Sequence, residues 1–400
     1  MIQTPKSTST MKDQDIAPWP VYDSDEVDAA TYVLKSGHVN YWTGNEGRKF
    51  EIEYAKYCGV AHGLVVTNGT AALELALYGL GIGVGDEVVV PARTFIATAA
   101  AVALCGAQPV VADIDPISQN LTAETVAKVL SPQTKAVIPV HLAGWPVDMK
   151  PIMNLARQQS IMVVEDCAQA HGATIDGRPV GSFGHIGCFS FCQDKIISTG
   201  GEGGMIVTND NAIYQRMWSH RDHGKDFDRS QAPEASPGFK WLATTFGTNW
   251  RLTEFQSAIG RIQLKKLPQW TATRRNNAAQ LDSALSSLRA VSIPTPPSNL
   301  GHAYYKYSGL INTGELKDGW SRDQICAELN SRGVPARVGA CPDISREAAF
   351  TADTTSQPTH PNAESLADRT FTLPVYPSLS ENNISFIANT TRDIILKATR

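Results

Sequence analysis

The chain has 400 residues, a length that predicts two domains and leaves room for a third. Apolar residues make up 42% and charged residues 18%, so a large core can form and global disorder is excluded. Lys and Arg number 35 and Asp and Glu number 39, which gives a net charge of −4. With so small a charge, we expect neither nucleic acid nor a membrane surface as a partner.

The chain start and the cysteines indicate the cellular setting. The opening residues MIQTPKSTSTMKDQD contain no apolar run typical of a signal peptide, and no segment approaches 18 uninterrupted apolar residues. We therefore expect a cytoplasmic protein in which residues 1–16 form a mobile tail. The seven Cys include no CxxC pair, which favours reduced thiols over a disulfide framework or a zinc site.

Short apolar runs alternate with helix-like stretches between about residues 60 and 210. Each run is rich in β-branched residues and is bounded by Gly, Pro, Asp or Asn. Such runs are typical of strands buried on both faces, so we predict an α/β fold with a mostly parallel sheet. Helical periodicity follows in Ala71–Leu80 and Ala123–Leu130. The predicted strands are Leu64–Val66, Val88–Val90, Pro109–Ala112, Ala136–Val140, Ile161–Val164, Gly187–Phe191 and Met205–Val207.

The pattern changes after residue 210. The stretch RSQAPEASPGFKW predicts a loop, and a helix is expected from Arg251 to Leu267, where Pro268 would end it. The rest of the chain predicts a smaller α+β unit. Its expected elements are helices near 271–289, 321–332 and 381–398 and a strand at 304–311. The boundary near residue 270 gives a large domain over 17–269 and a small C-terminal domain over 270–400.

Ligands of open α/β sheets bind at the carboxyl ends of the strands, so polar residues that follow predicted strands are the first candidates. Four such segments are TNGTAALELAL, VVEDCAQAHG, FSFCQDKIISTGGEGG and PARTFIATA. In the first, Gly69 and Thr70 precede a helix whose free N–H groups suit a phosphate, although Thr70 could be an ordinary helix cap. In the second, Glu165 and Asp166 follow a strand, and a carboxylate there could hold a cationic ring nitrogen, cap a helix or bind a metal.

In the third segment, Ser190 ends a strand and Lys195 lies beside four glycines, where flexible backbone would allow a ligand to approach closely. A surface lysine in a Gly-rich hairpin is the alternative. In the fourth, Phe95 could stack on an aromatic ligand or lie in the core. A ligand that fits all four segments is phosphorylated, aromatic, basic at a ring nitrogen and reactive with an amine. Pyridoxal 5′-phosphate (PLP) has these properties, so we expect it as the cofactor.

These segments, together with GTNWRLTEFQSAIGRIQL, resemble the DegT/DnrJ/EryC1/StrS sugar aminotransferases, PLP enzymes of the aspartate aminotransferase fold type. The resemblance covers nearly the whole chain and implies a large domain with a seven-stranded sheet. It implies a Schiff base on Lys195, with pyridoxamine 5′-phosphate as the intermediate form of the cofactor. Asp166 would pair with the pyridine nitrogen, Gln169 would lie near the 3′-oxygen, and Phe95 would stack on the ring. The residues expected at the phosphate are Gly69, Thr70 and Ser190.

The resemblance also implies an obligate homodimer with shared active sites, in which Asn249 reaches the phosphate of the neighbouring subunit's cofactor. Relatives that catalyse dehydration have His in place of the Schiff-base Lys, so Lys195 favours transamination. The expected enzyme moves an amino group from an amino acid, glutamate by resemblance, to a nucleotide-linked keto-deoxy sugar. C4 is the preferred carbon, and the expected pathway is cell-surface polysaccharide (lipopolysaccharide O-antigen) or related amino-sugar biosynthesis.

Binding the sugar diphosphate would require basic groups, and WSHRDHGKD offers His220 and Arg221, unless this segment is only an exposed polar loop. Tyr41 and Trp42 could line the sugar site or pack in the core or an interface. The spacing of His220 and His223 is too weak a pattern to predict a metal, and none is expected. The segment RVGACPDISREAAF matches the family pattern poorly.

Other functions remain open. An aminotransferase of a cyclitol or aminoshikimate-type ketone is one alternative, and a non-catalytic PLP-binding regulator is a second, which the joint presence of Lys195, Asp166 and Gln169 disfavours. A dinucleotide enzyme is excluded because GLGIGVGDE follows a helix and precedes a strand, the reverse of the Rossmann order. The P-loop pattern GxxxxGK[ST] does not occur.

Overall fold

The computed structural model describes residues 16–231, 241–351 and 359–400. The predicted tail, apart from Ile16, lies outside these ranges, as does most of the predicted loop RSQAPEASPGFKW. The first residues of that loop, 229–231, are helical and so differ from the prediction. Among the described residues, no helix combines the length and apolar character needed to span a bilayer.

A seven-stranded sheet contains all seven strands predicted from the sequence. The strands of the structure are β1 (His62–Val66), β2 (Glu87–Pro91), β3 (Gln108–Ala112), β4 (Thr134–Val137), β5 (Met162–Asp166), β6 (Thr174–Ile175), β7 (Arg178–Pro179), β8 (Ile186–Ser190), β9 (Gly204–Thr208), β10 (Val291–Ser292), β11 (Leu300–Gly301), β12 (Tyr307–Ile311) and β13 (Thr370–Leu373). The order in the large sheet is β1-β9-β8-β5-β4-β2-β3. Only β9 runs antiparallel to its neighbours in this sheet.

Helices pack on both faces of this sheet and, in part, against a smaller sheet described below. They are α1 (Ser24–Ser36), α2 (Glu46–Cys58), α3 (Gly69–Leu80), α4 (Ala97–Leu104), α5 (Ala123–Ala127), α6 (Met149–Gln159), α7 (Asn211–Arg221), α8 (Phe227–Gln231), α9 (Glu254–Leu285), α10 (Arg322–Ser331), α11 (Ala348–Thr351), α12 (Pro361–Leu366) and α13 (Glu381–Ala398). In β2, Val88 and Val90 belong to one apolar cluster while Val89 belongs to the other. Because both faces are buried, the strands are continuous apolar runs.

Helix α9 continues through Pro268, so the prediction that Pro268 ends a helix is wrong, and the two helices predicted around it are one. A proline inside a helix costs roughly 3 kcal/mol, because it removes a hydrogen bond and clashes with the preceding turn. Packing on both sides offsets this cost. Leu267 is buried in the core beneath the large sheet, whereas Leu281 and Leu285 are buried in a separate core.

That separate core lies between a three-stranded sheet, in the order β10-β12-β13, and helices α10 and α13. The predicted helices at 321–332 and 381–398 are confirmed as α10 and α13. The predicted strand at 304–311 begins only at Tyr307. Tyr304 has a positive φ of 49°, which turns the chain before the strand starts.

The poorly matching segment RVGACPDISREAAF is attached to the edge of the large sheet. The backbone N–H of Ile344 donates to the carbonyl of Ala92, 2.8 Å away, just after β2. His360 donates through Nδ1 to Asp343 Oδ2 (2.7 Å) and through Nε2 to the carbonyl of Val111 in β3 (3.2 Å). Burial alone would lower the pKa of His360, but the Asp343 carboxylate raises it. The charged imidazole therefore ties this segment to β3.

Candidate active site

A cavity of about 800 Å³ lies at the carboxyl ends of β1, β2, β5 and β8. Parallel strands end at the same edge of a sheet, so segments that are far apart in sequence meet there. Seven residues predicted from the sequence line this cavity: Gly69, Thr70, Phe95, Asp166, Gln169, Ser190 and Lys195. The opposite wall includes residues 304–308 and 339–341.

The first turn of α3 forms the anion-binding part of the cavity. The helix begins at Gly69, and its cap is Asn68, whose side chain accepts a hydrogen bond from the N–H of Ala71 (2.8 Å). The alternative of a cap by Thr70 is therefore wrong. A Cβ atom at position 69 would lie 2.7 Å from Cβ of Ser190, so only glycine allows this close approach. Uncapped N–H groups next to the Ser190 hydroxyl fit a phosphate.

Asp166 presents a fully buried carboxylate at the end of β5. Its Oδ2 accepts a hydrogen bond from the Thr98 hydroxyl (2.9 Å), and its Oδ1 accepts one from the N–H of Ala168 (3.1 Å). Burial raises the pKa of Asp166. A cationic group in the cavity would favour the ionised form, so this carboxylate fits the protonated ring nitrogen of PLP.

The neighbouring Glu165 is directed away from the cavity, because successive side chains of a strand point to opposite faces. It accepts hydrogen bonds from the N–H groups of Gly181, Phe183 and Gly184 and from His141 Nε2 (3.1 Å). Burial would raise the pKa of Glu165, but His141 and these donors lower it. The oxygens of Glu165 are therefore already paired with donors of the protein, and Asp166 is the carboxylate available to a ligand.

Gln169 and Phe95 line two further parts of the cavity. Oε1 of Gln169 accepts a hydrogen bond from the N–H of Ala143 (2.8 Å), which leaves its NH₂ group free to donate to a ligand oxygen. Phe95 is 68% exposed, so the core alternative is wrong. A flat aromatic ligand that covered this ring would bury it.

Lys195 extends into the cavity beside two groups that the sequence analysis missed. Its Nζ lies 3.1 Å from Asp194 Oδ1 and 3.4 Å from the hydroxyl of Tyr305. That hydroxyl donates to the other carboxylate oxygen of Asp194. Asp194 precedes Lys195 in the sequence and was visible as a neighbour. Tyr305 lies 110 residues away, and no spacing in the sequence indicates that it is close.

Thr98, the donor to Asp166, was also missed. It lies in the first turn of α4, and its hydroxyl is 2.9 Å from that of Thr94. Thr94 precedes α4, so the contact depends on the bend before the helix and not on a helical spacing that the sequence would indicate.

The structure places Arg221 and Tyr41 outside this cavity, so the prediction that they contact substrate there is wrong. Arg221 is fully buried, and its Nη1 donates to Glu51 Oε1 (2.8 Å) and to the carbonyl of Val65 (3.0 Å). The Tyr41 hydroxyl donates to Glu51 Oε2 (2.9 Å). A buried arginine requires such partners, so this cluster contributes to packing between α2, α7 and β1.

His220 and Trp42 are also absent from the cavity wall, within the part of the chain that is described. His220 stacks on Tyr78 with ring centroids 3.7 Å apart, and Trp42 Nε1 donates to Asp222 Oδ2 (2.6 Å). Neither side chain lines the cavity of its own chain, so their contacts with substrate stay a prediction for a site shared between subunits. Asn249 is exposed, and its backbone pairs with that of Asp222 rather than facing the cavity of its own chain.

Comparisons with known proteins agree with this geometry. The UDP-N-acetyl-3-dehydro-alpha-D-glucosamine 3-aminotransferase of Acidithiobacillus ferrooxidans is 38% identical over 352 residues, which cover 87% of this chain and 88% of that protein. The GDP-perosamine synthase of Caulobacter vibrioides is 39% identical over 322 residues, which cover 80% and 82%. The solved structure of an aminotransferase from Psychrobacter cryohalolentis superposes with a TM-score of 0.93 at 44% identity and covers 96% of this chain and 99% of that one.

Fold and cavity together define a PLP-dependent aminotransferase. The family model of the DegT/DnrJ/EryC1/StrS aminotransferase family matches residues 20–392, and the chain belongs to that family. The family assignment and the cofactor expected from the sequence are thus confirmed.

Proposed function

We propose that this aminotransferase moves an amino group from glutamate to C4 of a nucleotide-linked keto-deoxy sugar. The observation that carries the proposal is the meeting of an amine, a buried carboxylate and an anion site in one cavity. Its volume of about 800 Å³ lies in the upper part of the roughly 300–1,000 Å³ range of ligand sites. The cavity therefore has room for a second ligand beside the cofactor.

Each residue has a defined task in this proposal. Bound PLP supplies an electron sink for the negative charge that develops on the amino donor. Asp166 accepts a hydrogen bond from the ring nitrogen and keeps it protonated, while Gly69, Thr70 and Ser190 hold the phosphate. Lys195 would hold the cofactor covalently, and its free Nζ would act as the base toward the α-proton of the amino donor.

Lys306 replaces His220 and Arg221 as the proposed partner of the acidic substrates. Its side chain is half-buried in the cavity wall, and its Nζ lies 4.9 Å from the centroid of the Tyr305 ring. Burial lowers the pKa of Lys306, the Asp194 charge raises it, and the charges of Lys195 and Arg337 lower it, so that the net shift is downward. An anion would relieve this repulsion, so Lys306 suits a donor carboxylate or a sugar diphosphate.

The acceptor is proposed to be a nucleotide sugar because the two curated relatives described above are named for nucleotide-sugar chemistry. One of them is a 3-aminotransferase by name, so the test must separate C3 from C4. We propose cell-surface polysaccharide, O-antigen or related amino-sugar biosynthesis as the pathway. All seven Cys lie in the described ranges and are free, which supports a reducing, cytoplasmic location.

We also propose a homodimer in which Asn249 completes the phosphate site of the neighbouring subunit. The exposed position of Asn249, outside the cavity of its own chain, supports this arrangement. The division into domains over 17–269 and 270–400 is likewise proposed. It is supported by the separate core around Leu281 and Ile325, although α9 crosses the boundary.

A substrate panel tests the proposed function. Purified protein with PLP and glutamate would be offered 4-keto and 3-keto 6-deoxy sugars linked to dTDP, UDP or GDP, and a cyclitol ketone. We expect amination of a 4-keto sugar nucleotide, with the new C–N bond assigned by NMR of the product. Amination at C3 alone would refute the choice of carbon, and turnover of the cyclitol alone would favour that alternative. Cofactor binding without turnover of any ketone or of glutamate would favour the regulator.

A further inference from the structure

We propose that Asp194 and Tyr305 form a positioning pair that holds the Lys195 amine in the cavity, and stabilises its protonated form, whenever this amine is not bonded to the cofactor. The inference rests on the proposed role of Lys195. It assigns to two further residues the task of keeping the base in place between taking up the donor's proton and passing it on.

Three polar groups form a closed triangle around the amine. Lys195 Nζ donates to Asp194 Oδ1 at 3.1 Å and lies 3.4 Å from the Tyr305 hydroxyl, which donates to Asp194 Oδ2. Each oxygen of Asp194 thus has its own donor. The carboxylate cannot leave the amine without also breaking its bond to the tyrosine.

An isolated pair of adjacent, partly exposed charges would hold little, because solvent screens it and both side chains rotate. Asp194 alone would be such a case, since its side chain is 54% exposed. Tyr305, in contrast, is buried and comes from a different part of the chain. Its hydroxyl fixes the orientation of the carboxylate and so converts a surface ion pair into a defined contact.

Tyr305 is itself held from behind. Arg274 in α9 is fully buried, and its Nη1 donates to the backbone carbonyls of Tyr304 (3.2 Å) and Tyr305 (3.3 Å). On the other side, Trp19 Nε1 donates to the backbone carbonyl of Lys195 (2.9 Å). Both ends of the triangle are therefore tied by hydrogen bonds to residues far away in sequence.

The protonation states agree with this hydrogen-bond direction. Burial would raise the pKa of Asp194, but the Lys195 charge and the Tyr305 hydrogen bond lower it. Burial raises the pKa of Tyr305 far above its usual value. The tyrosine therefore keeps its proton and donates a hydrogen bond to the carboxylate of Asp194. The carboxylate is ionised, and this form stabilises an ammonium group.

The proton balance of the proposed step involves only Lys195. Its neutral Nζ takes the α-proton of the amino donor and becomes an ammonium group, which Asp194 pairs with. The ammonium group would later pass this proton to the cofactor carbon that carries the transferred nitrogen, and neither Asp194 nor Tyr305 would gain or lose one. The other titratable groups within electrostatic reach of Lys195 are Asp166, His171 and Lys306. Asp194 thus also reduces the repulsion between Lys195 and Lys306.

The test measures the free amine directly. In protein loaded with pyridoxamine 5′-phosphate, Lys195 is not bonded to the cofactor. Brief acetylation with acetic anhydride at pH 6–11, followed by peptide mapping, then gives the pH midpoint of the reactivity of Lys195. We expect Asp194→Asn to lower this midpoint by about one pH unit, because a half-exposed carboxylate is partly screened. Tyr305→Phe should lower it by roughly half as much, since the carboxylate then turns toward solvent. Asp318→Asn, which changes a fully exposed aspartate, is the control and should cause no shift.

Activity provides a second measurement. The limb of the kcat profile that depends on Lys195 should move with the labelling midpoint, in the same order of variants. An equal midpoint in the wild type, Asp194→Asn and Tyr305→Phe would overturn the inference even if kcat fell, because the loss would then be structural. Borohydride reduction of the PLP form separates the two proposals. A label on another lysine defeats the role of Lys195, whereas a label on Lys195 with an unshifted midpoint defeats only the positioning pair.

Discussion

Replacing Asp166 with Asn tests the carboxylate that would pair with the cofactor's ring nitrogen, and it changes the shape of the side chain least. The amide can turn its NH₂ toward the Thr98 hydroxyl, which lies 2.9 Å from Oδ2 and can accept a hydrogen bond. Its oxygen can still accept from the N–H of Ala168. The variant should therefore fold, because it removes a charge without leaving a buried polar atom unpaired.

The expected loss follows from the lost charge. A hydrogen bond to a charged partner is worth about 1.5–3 kcal/mol net, so PLP affinity should fall by roughly 10–150-fold. Turnover should fall further, since the protonated ring is needed in every catalytic cycle. Loss of one preorganised electrostatic group commonly costs about 10²–10³-fold in kcat, and we expect at least this loss for Asp166→Asn at saturating PLP.

The assay titrates PLP by absorbance and measures kcat with glutamate at saturating cofactor. Thr98→Val provides a graded comparison, because it removes one hydrogen bond from the carboxylate but keeps the charge. It should cost about tenfold, corresponding to one hydrogen bond to a charged group. Near-normal turnover in cofactor-saturated Asp166→Asn or Asp166→Ala would refute the assignment of this residue.

Two further predictions concern the phosphate site. Gly69→Ala would place a Cβ 2.7 Å from that of Ser190, so Ser190 must move. We expect the affinity for PLP to fall at least tenfold, whereas the affinity for pyridoxal, which lacks the phosphate, should change little. Gly314→Ala has open space around it and is the matched control; equal losses for PLP and pyridoxal would contradict the phosphate role of Gly69. For the shared site, dimers mixed from Lys195→Ala and Asn249→Ala chains should regain activity, because one site then contains both native residues. No regain over the separate variants would exclude a contribution of Asn249 across the interface.

The strands and much of the site could be predicted because both depend on local patterns. Strands buried on both faces must be apolar throughout, and polar residues can return only where a strand ends. Asp166 and Ser190 occupy such ends, and the first turn of α3 follows the end of β1. The positions of these residues relative to the strands were therefore enough to predict that seven of them share one site, and all seven line the cavity.

The errors arose where distant contacts determine the outcome. A proline in a helical pattern ends the helix unless packing offsets its cost, and the two cores that hold α9 on either side of Pro268 involve residues far away in sequence. Arg221 was expected near solvent because a basic residue in a polar segment usually lies there. Its partner Glu51 is 170 residues away, and nothing in the local sequence indicates a buried ion pair.

The cavity contains two aspartates, Asp166 and Asp194, whose pKa values are shifted in opposite directions. This difference explains how Lys195 can serve two roles. Burial raises the pKa of Asp166, which has only neutral donors and needs a cation from the ligand. Lys195 and Tyr305 lower the pKa of Asp194, which already has its cation in the protein. When the surroundings shift the pKa values of two carboxyl groups in opposite directions, the two groups commonly have different roles. Here Asp166 would hold the ring nitrogen of the cofactor, and Asp194 would pair with the Lys195 amine when that amine is not bonded to the cofactor. Lys195 would therefore stay in the cavity in both states.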